Sequence, residues 1–175
     1  MEALVRNIPV VVGSFVAFVL YVAVGPALSI YGAQPNFIFA FCVLLAIVRP
    51  QNSTLVATFI LGLLAGLVGN SPVGLMAVVL LVICFVLVRV FSVVDNGSLF
   101  MQVLSLVVAV LLCEFAYAFA LTLFGLHLSF LSLFLYRVLP CAALDFCAGL
   151  IHLPLVAKFM GASKTRGSVT ALQFR

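Results

Sequence analysis

Apolar residues fill this chain in long runs, and the polar residues fall between them at nearly regular intervals. Runs over 8–28, 36–48, 54–68, 73–91, 99–124 and 129–155 are separated by short segments rich in Pro, Gly, Asn and Ser. Neither a period of two nor a clean 3.6-residue alternation of apolar and polar positions appears inside the runs. They read as membrane-spanning helices. The breakers are specific. Tyr31-Gly32-Ala33-Gln34-Pro35 closes the first run, Arg49-Pro50-Gln51-Asn52 the second, Gly69-Asn70-Ser71-Pro72 the third and Asp95-Asn96-Gly97-Ser98 the fourth. Proline lacks an N–H and disfavours helix in the residue before it, so a helix does not run easily through these points.

Six helical spans follow, in an all-α membrane protein whose bundle occupies residues 1–158, with a basic tail over 159–175. The second and third runs are short for a full crossing, which takes about 20 residues. They either thin the bilayer locally or form a re-entrant hairpin, and the charged, proline-containing turn between them favours a solvated loop. The N-terminus has one Arg before an apolar run but no small-residue cleavage pattern after it, so the first helix is expected to stay uncleaved.

Composition agrees. Of 175 residues, 67% are hydrophobic and 7% charged, and mean hydropathy is +1.45. A soluble chain this apolar could not cover its core with polar surface. Little length remains for a domain outside the bilayer, which argues against most catalytic architectures and for a carrier, channel, binding subunit or scaffold. The net charge of +4 bears on topology rather than on nucleic acid. With the N-terminus inside, Arg6, Arg49, Arg89, Lys158, Lys164, Arg166 and Arg175 all fall on the cytoplasmic side, and the three outer loops carry no Lys or Arg. An N-in/C-in arrangement therefore satisfies the positive-inside rule.

Three ionisable residues lie within the runs: Glu114, Arg137 and Asp145. A charge at membrane depth is costly unless paired or hydrated, so each is a candidate site residue. Counting from the loop that joins the last two spans, Glu114 and Arg137 sit at matching depths, roughly 12–15 Å below the outer surface at 1.5 Å per residue. A buried Glu114–Arg137 ion pair locking the last hairpin is the expectation. A ligand or proton path, or a docking point for a partner, are the alternatives. Asp145 lies nearer the inner side, with Arg89 or interfacial water as its expected partner. His127 and His152 read as solvated residues, with no second ligand at metal spacing. Cys42, Cys84, Cys113, Cys141 and Cys147 lie in apolar runs without a CxxC pair and read as small buried apolar residues. Gly62 and Gly66, four apart, form a small-residue face for close helix packing. No nucleophile–base set, cofactor motif or metal site stands out.

One region is more specific. It comprises Gln34-Pro35-Asn36-Phe37, Arg49, and LGLLAGLVGNSPVGL over 61–75, which contains Ser71, Pro72, Gly74 and Leu75. This resembles the bacterial rod-shape-determining MreD family in length, in its short spans, in the Pro-Asn-Phe opening of span two and in the glycine-rich segment joining spans three and four. Leu139-Pro140-Cys141-Ala142-Ala143-Leu144-Asp145 is similar to the family's Leu-Pro-x-x-x-x-Asn pattern, with Asp145 in place of the usual Asn. A second departure is Gly66, where the family usually has an Asp. The resemblance implies a non-enzymatic subunit of the cell-elongation complex in the bacterial inner membrane. It would scaffold peptidoglycan synthesis with MreC and connect to MreB and to RodA with its transpeptidase. The competing reading is a substrate-binding S component of an energy-coupling-factor vitamin transporter, which would need an outer pocket near Tyr31, Gln34, Asn36, Asn70 and His127.

Overall fold

A computed structural model describes residues 2–29, 33–69, 72–93, 98–123, 132 and 134–160, with side chains between Asn7 and Val156. Ser71, Asn70, Tyr31, His127, the side chains of Arg6 and Lys158, and the tail from 161 lie outside the described residues. Six helices make up the described chain: α1 (Glu2–Ala23), α2 (Phe37–Val48), α3 (Asn52–Val68), α4 (Leu75–Val93), α5 (Leu99–Leu123) and α6 (Leu139–Met160). A 3-10 turn at Pro26–Leu28 follows α1, and a π turn at Phe134–Val138 leads into α6. No strand occurs among the described residues. The helix positions of α2 to α5 follow the apolar runs closely, whereas α1 (Glu2–Ala23) lies about five residues earlier than the run over 8–28 and α6 (Leu139–Met160) is shifted toward the C-terminus of the run over 129–155.

The bundle is arranged around α2. All twelve of its residues are buried, none more than 9% exposed, and it packs against each of the other helices. Twelve helical residues span about 18 Å, well short of a hydrocarbon core about 30 Å thick. Its sequence, FIFAFCVLLAIV, has no polar position, and a helix apolar on all sides buries all sides. Phe39, Phe41, Leu44 and Leu45 interlock with Met76 and Leu80 of α4 and with Leu106 and Val110 of α5 in one core. Phe39 also meets the Tyr117 ring edge-on, 5.7 Å between centroids.

The outer surface is apolar as well. Val78, Val82, Phe85 and Val86 of α4 and Leu104, Val108 and Leu112 of α5 are exposed in stripes at three- to four-residue spacing. Such surface is stable against hydrocarbon and not against water. Leu75–Val93, Leu99–Leu123 and Phe134–Val156 are each long and apolar enough to cross a membrane, and Asn7–Ala23, Phe37–Val48 and Asn52–Val68 are shorter apolar helices.

Two local features have clear causes. Pro140 is the second residue of α6; it has no N–H and its ring crowds the carbonyl four residues back, and the wider π turn at Phe134–Val138 accommodates this. The α3–α4 hairpin closes on glycine. A Cβ at Gly62 would stand 2.6 Å from the Ala77 Cα, and one at Gly66 would stand 3.2 Å from the Gly74 amide nitrogen. Gly74 itself has φ +88°, which side chains rarely adopt.

Gly62→Val is therefore expected to destabilise the bundle by about 1–3 kcal/mol, the usual cost of forced overpacking. Gly66→Ala, whose nearest neighbour is more distant, should cost less. Thermal unfolding in mild detergent measures both; equal midpoints for wild type and Gly62→Val would contradict the close approach.

Candidate functional site

The polar residues of the interior collect at the two ends of α2. At its N-terminal end Asn36 is the cap: its side-chain oxygen accepts from the Phe39 N–H at 3.2 Å. The Asn36 N–H in turn donates to Oδ1 of Asp145 on α6. Asp145 is fully buried. Its carboxyl oxygens also lie at the positive end of the helix dipole. Ala33 and Pro35, just before the cap, are buried too, so the Pro35-Asn36-Phe37 motif is the means by which the chain turns into the bundle and starts α2 beneath α6.

Glu114 of α5, 5% exposed, brings its carboxyl beside that of Asp145, and Arg137 of the π turn exerts a Coulombic attraction on it. Asp145 Oδ2 and Arg137 Nε are buried polar atoms without a hydrogen-bond partner among the described residues. Two ionised carboxylates side by side repel, and Arg137 is the source of positive charge acting on Glu114. The cluster thus joins α5, the π turn, α6 and the residues opening α2.

At the other end of α2, Arg49 is 4% exposed. Its Nη2 donates to Asn7 Oδ1 of α1 at 2.8 Å and its Nε to Gln51 Oε1 at 3.2 Å. Its carbonyl accepts from the Thr54 hydroxyl of α3 at 2.7 Å. A cation suits the negative end of the dipole. Thr58 continues the pattern one turn on, donating to the Thr54 carbonyl at 2.7 Å.

Several residues lie elsewhere than expected. Asp145 is not paired with Arg89 or placed at an interface: Arg89 sits over the Phe85 ring, 5.0 Å from its centroid, because residue 89 falls on the outward face of α4. His152 is not solvated. It is 4% exposed, its Nδ1 lies 2.8 Å from the Ala148 carbonyl, and its ring meets Phe37 and Phe41 edge-on at 6.1 and 6.2 Å. The carbonyl one turn back gives the ring a polar partner within its own helix, so burial costs it little. Cys42, Cys84, Cys113 and Cys141 are buried, but Cys147 is exposed on the outside of α6. Gly62 and Gly66 face α4, and Pro72, Gly74 and Leu75 form the turn and first residue of that helix. Gln51 and Thr54 had no sequence signal beyond their position near Arg49, and Asn7, 42 residues from Arg49, had none. No group of three or more His, Cys, Asp and Glu able to hold a metal occurs among the described residues.

An apolar exterior, three membrane-capable helices and polar side chains turned inward onto helix ends define a multi-pass helical membrane protein. Residues 5–162 match the family described as rod shape-determining protein MreD. The chain belongs to that family. Comparison with curated proteins and with solved structures gives no match.

The Asn36 N–H needs an oxygen acceptor at position 145, and either Asp or Asn supplies one. Asp145→Asn is expected to leave stability nearly unchanged. Asp145→Ala leaves that N–H buried and unsatisfied, at a cost of about 1–3 kcal/mol. Unfolding midpoints in detergent give the comparison, and an alanine variant as stable as the asparagine one would rule the contact out as a determinant.

Proposed function

We propose that this protein is a non-enzymatic inner-membrane subunit of the bacterial cell-elongation complex, scaffolding peptidoglycan synthesis together with MreC and connecting also to MreB and to RodA with its transpeptidase. The family match over residues 5–162 carries this reading. The interior supports it, since Asp145 and Arg49 are engaged in contacts at the two ends of α2. The topology that goes with it has six crossings and both termini in the cytoplasm, which the basic residues at 6, 49, 89 and 158 favour.

The test is complementation. In a rod-shaped bacterium depleted of its own family member, expression of this chain should restore rods, and MreC should co-purify with it in mild detergent. Rounded cells despite normal expression, or co-purification of a transport ATPase in place of MreC, would overturn the reading and favour the transporter alternative.

The same proposal assigns Glu114 and Arg137 a structural ion pair. Glu114→Arg and Arg137→Glu should each lower the unfolding midpoint, and the double exchange should recover most of the loss, because opposite charges again meet. A double variant no better than the singles would refute the pairing.

A further inference from the structure

Between α1 and α3 runs an open trough of about 530 Å³. Its walls are two matched stripes at three- and four-residue spacing, from Asn7 to Phe18 on α1 and from Ser53 to Leu64 on α3. Both helices start at the same end, because Asn7 is hydrogen-bonded to Arg49, which lies just before α3. Beyond Asn7 and Ser53 the trough is apolar except for Ser14 of α1. At that one end it is polar, and every polar feature there favours an anion. Arg49 supplies a permanent positive charge. It polarises the Asn7 amide, whose oxygen it occupies, so that the amide's NH₂ is left to donate. Ser53 adds a hydroxyl, and α3 has neither a side-chain N-cap nor an acidic residue in its first turn, leaving the positive end of its dipole open.

The trough runs for roughly 16 Å, the length of eleven helical residues, between walls of Val, Phe, Ile and Leu side chains, a setting that suits an extended hydrocarbon chain. An apolar trough that ends in the Asn7 amide and the Ser53 hydroxyl, with the buried Arg49 cation hydrogen-bonded behind Asn7, matches a lipid with a negatively charged headgroup.

We propose that the α1–α3 trough is a binding site for one anionic glycerophospholipid, with an acyl chain along Phe15, Ala57 and Ile60 and the phosphate at Asn7 and Ser53, held by the charge of Arg49. The site is separate from the Glu114–Asp145 cluster and does not depend on the role in cell shape.

Native mass spectrometry of the full chain, released from bilayers of equal phosphatidylglycerol and phosphatidylcholine, tests it. One phospholipid should stay bound, with phosphatidylglycerol preferred about fivefold, the effect of one cationic side chain near a membrane surface. Ala57→Phe, which fills the trough, should abolish retention, while Val86→Phe on the outer face of α4 should not. A photoreactive phenylalanine analogue at Ile60 should give a lipid adduct in cells, which keeps the test decisive if Ala57→Phe folds poorly. No retained lipid, equal retention of the two lipids, retention unaffected by a folded Ala57→Phe, or a protein adduct from position 60 would each overturn the proposal. The last would reassign the trough to a partner's side chains.

Discussion

A helix buried on every side must have both its ends satisfied by protein, and α2 imposes that requirement on the whole bundle. Its first N–H groups and last carbonyls cannot turn to water, and an unsatisfied backbone group in hydrocarbon costs several kcal/mol. Asn36 and Asp145 meet the need at one end, Arg49 and Thr54 at the other. The groups also suit the helix dipole, with carboxyl oxygens at the start and the Arg49 cation at the finish. Because Asp145 comes from α6, Asn7 from α1 and Thr54 from α3, satisfying the ends of one short helix fixes three others around it.

The same requirement accounts for the concentration of charge. The chain has four acidic residues, and two of them, Glu114 and Asp145, lie side by side in the interior. Buried charges rarely add net stability, since desolvation offsets their attraction, but removing one partner leaves the other exposed to that penalty. A cluster of this kind therefore acts mainly against wrong arrangements. A bundle with α6 rotated or shifted by one turn would strand Asp145 in lipid and Asn36 without an acceptor. The π turn before Pro140 belongs to this arrangement, since it sets the stretch containing Arg137 against the rest of α6.

How far the sequence disclosed this depended on which physical signal was involved. The helices were legible because proline, glycine and asparagine mark their ends and because every run is apolar enough to exclude a water-facing helix. The interior position of α2 was less so, because a helix that faces lipid and a helix that faces protein are both apolar all round. Arg89 and Asp145 failed to pair because depth can be counted along a helix while rotation cannot, and residue 89 turns outward. His152 shows the same limit, since its partner is the carbonyl of Ala148, a backbone atom with no signature in side-chain identity. The short family motifs proved more informative about geometry than composition was. Pro35-Asn36-Phe37 is a turn, a cap and the first core residue of α2 in succession.

The closed interior also constrains how such a protein can meet others. With α2 in contact with all its neighbours, no partner reaches the centre without dismantling the end contacts. The glycine face of α3, which sequence alone offers as a surface for association, is occupied by α4: Gly62 lies against Ala77 and Gly66 against Gly74. Association in the membrane is left to the outer faces, where Val, Leu and Phe side chains project, and there is no hydrophobic drive between such surfaces when lipid is the solvent. Specific assembly then rests on shape along those faces and on the few polar groups near the helix ends. That is a reason for the bundle to be rigid, since an interface made of shape alone holds only if the helices that carry it do not move.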